Sequence, residues 1–273
     1  MTASLLDGVN WEVVTVFAVL VLLEGLRRVP AGALVVRGTG PAGWRPTGVP
    51  EPRQRWRLIS WWSPIAPALV LVPLDGRRPT PAAADLDARL KVATQAAPWL
   101  TVSAGIAILA LIAGLPLASA RFGAGGFLVG AAVVLILAIT NAVAGAAILR
   151  RIGAPRRRGQ MLAWCSPFAA GRVLETVYEA ALAGASQAQA VRALAGDGVF
   201  AVWFRPRAYD ALYGGVDDPD LLAAADAATL RAIVAAPPPD DQAGSFCPRC
   251  AARWVLSEGE CPACAVPLTR LSP

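Results

Sequence analysis

The sequence contains no histidine. This absence excludes Ser-His-Asp and Cys-His catalysis, histidine-ligated zinc or haem, and proton transfer by an imidazole. Lys91 is the only lysine, and nothing around it matches the phosphate-binding loop or the Schiff-base site in which a catalytic lysine acts. The sequence offers none of these catalytic arrangements, and we predict that the protein is not an enzyme.

Charged residues are scarce as well. They make up 16% of the 273 residues, whereas about a quarter is usual in soluble domains, and hydrophobic residues make up 56%. The excess of apolar residues is concentrated in three runs, at residues 13–23, 98–118 and 126–149. The net charge is +6, and nearly all of the positive charge is arginine. This composition favours a membrane protein.

The second and third apolar runs contain no charged residue, and only residues 119–125 separate them. Each has a length within the roughly 17 to 25 residues with which a helix crosses a hydrocarbon core. Together they predict a transmembrane hairpin over residues 98–149. The alternative is a buried helical hairpin in the core of a soluble protein.

The first run is shorter and lies between Glu12 and Glu24. Arginines follow it rather than precede it, which is the reverse of a signal peptide. We therefore interpret residues 1–28 as a retained N-terminal transmembrane helix, with an interfacial helix as the alternative. The predicted fold is a membrane α-helical protein with three transmembrane helices, small cytosolic α+β segments and a C-terminal zinc ribbon.

Arginine also indicates the orientation of the chain. It is dense in residues 29–97, which follow the first helix, and in residues 150–158, which follow the third. Cytoplasmic loops carry an excess of arginine and lysine, so both segments are expected in the cytoplasm. We predict a multi-pass protein of the bacterial inner membrane, with its N-terminus outside and its C-terminus cytoplasmic.

Small residues recur four apart on the helices of the predicted hairpin, among them Gly126 and Gly130, and this spacing permits close helix approach. Thr140 and Asn141 are the notably polar side chains within the third run, and an amide in hydrocarbon needs a partner on another helix. We interpret these four as helix-packing residues. A substrate pathway is the alternative, but no charged side chain accompanies them.

Arginine and tryptophan alternate in residues 53–62. Indole rings favour the headgroup zone of a bilayer, and guanidinium groups favour anionic phosphates. Nucleic-acid stacking uses the same residue types, but for a segment tethered to a bilayer we prefer lipid as the partner and expect no nucleic acid. The residues predicted to contact the membrane surface are Arg53, Arg55, Trp56, Arg57, Trp61 and Trp62.

The remaining segments are predicted to be cytosolic. Residues 29–97 form a juxtamembrane segment with strands near 33–36 and 68–74, while 150–236 form a helical module in which 200–204 are a brief strand or an apolar turn. A proline-rich linker at 237–245 then separates this module from a tail, residues 246–273.

Two Cys-x-x-Cys pairs occur in the tail, Cys247 with Cys250 and Cys261 with Cys264. Thiolates at this spacing can converge on one tetrahedral ion, and such sites prefer a reducing compartment. The fifth cysteine, Cys165, is unpaired in the sequence. We interpret it as a small buried hydrophobe, because the chain has no histidine to activate it.

The tail resembles the zinc-ribbon family over residues 246–268. The resemblance implies a knuckle at each cysteine pair and a structural Zn²⁺ held by all four thiolates. Zinc ribbons often carry glycine right after each second cysteine, whereas this chain has Ala251 and Ala265 there. Iron in a rubredoxin-like site is an alternative with the same ligand set, and disulfides are disfavoured by the predicted cytosolic location.

These features predict an integral inner-membrane scaffold or adaptor protein. Its cytosolic modules and zinc ribbon would bind a protein partner, another copy of the chain or the membrane surface, and no small-molecule substrate is identified. One alternative is an accessory subunit of a transporter or membrane enzyme complex. Another is an iron-binding tail that transfers electrons.

Overall fold

The fold is taken from a computed structural model of the chain. The described residues are 11–24, 26–30, 33–38, 43–47, 56–60, 67–71, 81–154, 164–166, 171–236, 243–255 and 258–271. The chain divides into two units, residues 1–72 with 82–183 and residues 73–81 with 184–273.

The first unit contains two small antiparallel sheets. Its early elements are helix α1 (Trp11–Glu24) and strands β1 (Leu26–Pro30), β2 (Leu34–Gly38), β3 (Trp44–Pro46), β4 (Trp56–Ser60) and β5 (Ala68–Leu71). β1 pairs with β4, and β2 lies between β3 and β5. Val29, Val35 and Ala68 are buried in one apolar cluster. The strands predicted near residues 33–36 and 68–74 are therefore confirmed as β2 and β5.

A long helical segment follows. Helix α2 (Ala83–Leu109) continues through a π-helical turn (Ala110–Gly114) into helix α3 (Leu115–Ile152). Within α3, Gly123 has φ 60° and ψ −143°, a conformation that is open to glycine and costly for other residues. The chain reverses there, so that the part of α3 after Gly123 packs antiparallel on α2.

The prediction of three transmembrane helices is wrong. Among the described residues, one helical segment, Ala84–Ile152, is long and apolar enough to cross a membrane. Helix α1 has 14 residues and a length of about 21 Å, which is less than a hydrocarbon core of about 30 Å. It ends at Glu24, and the chain then enters β1, whose backbone is paired with β4.

The two later runs are separate in the sequence but belong to a single helical segment in the structure. Pro98 lies inside α2, and residues 119–125 are helical except at Gly123. A single left-handed glycine thus replaces the loop that the sequence predicts. The prediction that the N-terminus lies outside depends on α1 crossing the bilayer, and it stays a prediction.

Helix α4 (Arg172–Ala181) packs against α2 and α3 in the same unit. The contact with α3 is close at Gly145, where an added Cβ would overlap Cγ1 of the buried Val173. On another face of α4, the ring of Tyr178 meets the ring of Trp44 edge-on, with centroids 4.8 Å apart. This contact joins α4 to the sheet that contains β3.

The described part of the second unit contains helices α5 (Gln187–Tyr213), α6 (Pro219–Leu222) and α7 (Ala227–Ala235). Ser186 caps α5 in a reciprocal pair of hydrogen bonds with Gln189. The predicted strand or turn at 200–204 is wrong, since these residues are helical. Phe200 and Phe204 lie four residues apart, and on a helix this spacing places both rings on the same buried face.

The cysteine module completes the second unit. Strand β6 (Ser245–Phe246) pairs with β7 (Arg253–Trp254) on one side and with β8 (Thr269–Arg270) on the other, both antiparallel. Each strand has only two residues, so the ladder supplies few hydrogen bonds. The predicted linker at 237–245 lies largely outside the described residues.

Candidate metal centre

Each Cys-x-x-Cys pair closes a tight turn of the same form. The N–H of Ala251 donates to the carbonyl of Cys247 at 2.9 Å, and the N–H of Ala265 donates to the carbonyl of Cys261 at 2.8 Å. Ala251 has φ 60° and Ala265 has φ 51°. Both alanines are in the left-handed region, at the positions where zinc ribbons often carry glycine. The two halves of the module therefore repeat one local structure.

The two turns bring the four thiols together. The Sγ atoms of Cys247, Cys250, Cys261 and Cys264 all lie within 4.8 Å of one another, and those of Cys250 and Cys261 are 3.7 Å apart. Four sulfurs at about 2.3 Å from a tetrahedral zinc ion would be about 3.8 Å apart. All the cysteines are free thiols. This arrangement can bind a metal ion, as the sequence predicts.

Protonation of the thiols differs across the cluster. Burial raises the pKa of Cys247, Cys250 and Cys264. Burial also opposes ionisation of Cys261, but hydrogen bonds from the N–H groups of Ala263 and Cys264 and from neighbouring thiols outweigh it and lower its pKa to about 7. Because metals bind thiolates, an ion entering this site must displace protons from the other three cysteines.

Helix α5 supplies side chains around the cluster that the sequence analysis missed. Nη2 of Arg249, inside the first cysteine pair, donates to Oδ2 of Asp210 at 2.9 Å. Tyr209 packs against the cluster beside the buried Cys247 and Cys261. No sequence pattern marked Tyr209 or Asp210, since both lie far from the cysteines along the chain.

Arg205 is the third contribution of α5, and its side chain is only 7% exposed. Its Nη2 donates to the carbonyl of Ile233 at 2.5 Å and to that of Ala236, and its guanidinium lies 5.7 Å from the centroid of the Phe246 ring. Burial lowers the pKa of Arg205, and the thiols of Cys247 and Cys250 oppose that shift. Arg205 thus joins β6 to the end of α7.

The surroundings also fit a tetrathiolate metal centre. Four thiolates around a divalent ion carry a net charge of about −2. The cations of Arg205 and Arg249 lie near the thiols, and the guanidinium of Arg249 also forms a hydrogen bond with Cys264. Among the described residues, the buried Nη1 of Arg205 and Nε1 of Trp254 have no acceptor. Cys247 and Cys261 are buried, Cys264 is half-buried and Cys250 is exposed. Because an anionic centre is stabilised by nearby cations and donors, this arrangement favours metal-bound thiolates.

The residues predicted to pack helices lie in the first unit, whereas the four clustered cysteines belong to the second. An added Cβ on Gly126 would overlap the carbonyl oxygen of Ala118, and one on Gly130 would lie 2.9 Å from Cδ1 of Leu115. Gly123 divides the helical segment into two arms, residues 83–122 and 124–152, and the two glycines lie where these arms pack closely together.

The two polar residues of α3 have different environments. Asn141 is 1% exposed, and its Oδ1 accepts a hydrogen bond from Oγ of Ser103 on α2 at 2.7 Å. Thr140 is exposed and donates to the carbonyl of Ile136 on its own helix at 2.8 Å. Asn141 thus contacts the facing arm, whereas the described hydrogen bond of Thr140 is local.

The structure describes only part of the segment predicted to contact the membrane surface. Arg53, Arg55, Trp61 and Trp62 lie outside the described residues. Trp56 and Arg57 belong to β4, whose backbone pairs with β1, but their side chains are also outside the description. Their predicted contact with lipid stays a prediction.

The fifth cysteine does not join the metal cluster. Cys165 is a half-buried free thiol in the short described piece 164–166 of the first unit.

Comparison with known proteins adds no functional information, because no family model, curated protein or solved structure matches this chain.

Proposed function

We propose that this protein is a membrane-anchored adaptor. The helical segment Ala84–Ile152 anchors it in the inner membrane, and a zinc-ribbon-like module with a structural Zn²⁺ helps to present a binding surface to a protein partner in the cytoplasm. The role is interaction rather than catalysis, in keeping with a chain that lacks histidine.

The observation that carries the membrane assignment is the surface of the helical segment. Large apolar side chains along it are more than 60% exposed, and soluble proteins rarely leave so extended an apolar surface uncovered. Hydrocarbon chains would cover this apolar surface and remove it from water, which is favourable. The side chains concerned are Trp99, Leu109, Phe122, Leu128, Val129 and Ile136.

The cysteine cluster supports the second half of the proposal. With four cysteine ligands, a tetrahedral ion has no open position for a substrate or a catalytic water, which is typical of a structural site. Free thiols and a metal centre also favour the reducing cytoplasm, and Arg150 and Arg151 at the end of α3 favour the same side.

Flotation and labelling test the anchoring. The full chain should float with phosphatidylcholine and phosphatidylglycerol vesicles in a density gradient and resist extraction by alkaline carbonate. In a Cys165→Ser background, an impermeant maleimide added to intact cells should label an Arg121→Cys variant near the reversal of the helical segment. It should label a Val255→Cys variant, at a position that is 88% exposed, only after the membrane is permeabilised. Labelling of Val255→Cys in intact cells, or a chain that stays in solution, would contradict the proposal.

Cross-linking in membranes tests the adaptor role. Wild type and Cys165→Ser should yield the same cross-linked partner after extraction in mild detergent, and Cys261→Ser should lose it, because the module cannot fold without its metal. The same cross-linked products from all three proteins would show that the cysteine module has no part in partner binding. Metal analysis of the purified wild type should find one zinc ion per chain, and iron with visible absorption would instead favour electron transfer.

A further inference from the structure

A groove of about 440 Å³ runs between the two arms of the helical segment. Val92 and Arg151 lie at one end of it, and Ser103 and Asn141 lie at the other. Oδ1 of Asn141 accepts the hydrogen bond of Ser103 across this second end. The groove lies wholly within the first unit.

The lining has an amphiphilic pattern. Trp99, Leu100 and Ile148 give it apolar walls. Among the described residues that line it, Arg151 at the end of α3 is the one with a charge, and none is a carboxylate. Lys91 adds an exposed cation beside Val92 at the same end. A ligand that fits this pattern has an anionic head and an apolar chain.

The length of the groove limits the ligand further. Arg151 and Asn141 are about three helical turns apart on α3, a distance of about 15 Å. This is half of a hydrocarbon core that is about 30 Å thick, and therefore the depth of one leaflet. A lipid whose phosphate lies at Arg151 would extend its acyl chain to the end of the groove near Ser103.

We propose that this groove binds one anionic phospholipid of the cytoplasmic leaflet, with its phosphate at Arg151 and an acyl chain between the arms. The proposal rests on the membrane location given under the proposed function. The lipid fills the space between α2 and α3. Its phosphate pairs with Arg151, since none of the described lining residues carries a negative charge. The bound lipid would add contacts between the two arms on the side away from α4.

Matched variants separate this site from general attraction to an acidic membrane. Arg150 lies next to Arg151 at the same depth but does not line the groove, and Val143 is an exposed neighbour of the lining residue Ala144. The four variants to compare are Arg151→Gln, Arg150→Gln, Ala144→Trp and Val143→Trp. Because Ala144 is exposed, an indole there should fill the groove without disturbing the core of the segment.

The experiment uses nanodiscs of phosphatidylcholine with a fifth of phosphatidylglycerol, from which the protein is released and its retained lipids are counted by native mass spectrometry. Wild type, Arg150→Gln and Val143→Trp should retain one phosphatidylglycerol in preference to phosphatidylcholine. Arg151→Gln should lower that retention about fivefold, and Ala144→Trp should abolish it.

Three results would overturn the lipid site while leaving the membrane anchor intact: equal loss in Arg150→Gln and Arg151→Gln, full retention in Ala144→Trp, or equal retention of both lipids by wild type. A second copy of the chain in the groove, seen as lipid-free dimers in wild type and monomers in Ala144→Trp, would do so as well. If the wild type fails to float with vesicles, that result contradicts both the membrane anchor and the lipid site.

Discussion

The helical segment and the cysteine module both reverse the chain in tight turns, but they use different residues to do so. In the helical segment the left-handed residue is Gly123, which has no Cβ to strain. In the cysteine module the non-glycine residues with a left-handed φ are Ala251 and Ala265, at the turns of the two cysteine pairs, and their Cβ atoms carry that strain. The turn at Gly123 has a residue suited to its conformation. The turns at Ala251 and Ala265 have residues that disfavour theirs, so interactions elsewhere must hold these two turns in place.

The elements next to these turns explain the difference. The helical segment continues for many residues on either side of Gly123, and its arms pack through small side chains such as Ala104 and Ala107 against Leu137. The module has three strands of two residues each and a small apolar cluster. A unit of this size cannot bury enough apolar surface to hold two strained turns, so we infer that the metal ion holds them.

The largest expected effect comes from removing one metal ligand. Cys261→Ser should eliminate most of the metal-binding free energy, which is about 10–16 kcal/mol in small structural zinc sites. Zinc content measured by atomic absorption should fall well below one ion per chain. The amide NMR signals of residues 243–271 should lose their dispersion, while circular dichroism should show little loss of helix.

Cys165→Ser is the matched control, because Cys165 is a free thiol outside the cluster. It should bind the same amount of zinc as wild type and keep a folded module. If Cys261→Ser retained a full equivalent of zinc, the four thiols would not form a single site, and the contrast between a metal-held module and a self-supporting helical segment would be lost.

The second prediction tests the helical segment at its closest contact. Gly126→Ala places a methyl group on the Ala118 carbonyl, and a backbone atom cannot move aside as a flexible side chain can. We expect a loss of about 3 kcal/mol in stability, typical of overpacking against a rigid neighbour. Thermal unfolding in detergent, followed by circular dichroism, measures it.

Gly125→Ala is the control for this change, since nothing lies within 4 Å of a Cβ at Gly125. It should leave stability unchanged or raise it by up to about 1 kcal/mol through helix propensity. Zinc content should be the same in both variants. Equal stabilities would show that the two arms do not meet at Gly126 as the structure describes.

Features that depend on residues close together in the sequence could be predicted, and features that depend on contacts between distant residues could not. The ligand set was predictable because Cys-x-x-Cys spacing is local and the chemistry of thiolates is specific. The strands near Val35 and Leu69 were predictable from short apolar runs. In both cases the pattern lies within a few neighbouring residues, and the structure confirms that the cysteines meet.

The errors arise where one residue or a distant contact decides the structure. Helix α3 continues through the predicted loop because only Gly123 leaves the helical conformation, and apolar runs do not reveal so brief an interruption. The contacts of Arg205 with Phe246 and Ile233 join residues far apart in sequence. Periodicity within a helix carries no information about such partners.

The third prediction concerns that distant contact. Arg205→Met removes a buried cation beside the thiols and leaves the carbonyls of Ile233 and Ala236 without their donor. We expect a loss of about 2 kcal/mol in the stability of the second unit, since hydrogen bonds to charged groups contribute about 1.5–3 kcal/mol and a single nitrogen, Nη2, makes both of the bonds that are lost. Zinc affinity, measured by competition with a chromophoric chelator, should fall about tenfold.

Arg231→Met, on an exposed position of α7, is the control for the loss of one positive charge in the same unit. It should change neither stability nor zinc affinity measurably. A tenfold loss of zinc affinity in both variants would show that net charge, rather than the place of Arg205 beside Cys247 and Cys250, sets the affinity.

The smallest effect should be a gain, and it tests the strain that distinguishes the two regions. Ala251→Gly removes the Cβ from a residue at φ 60° and should stabilise the metal-bound module by about 1 kcal/mol, because left-handed alanine costs about 1–2 kcal/mol and glycine loses part of this gain to its freer unfolded chain. Ala252→Gly, at a position without positive φ, should destabilise it. Chelator competition measures both. If Ala251→Gly weakened zinc binding as Ala252→Gly does, the turn would not be strained, and the need for a metal ion to hold it would lose this support.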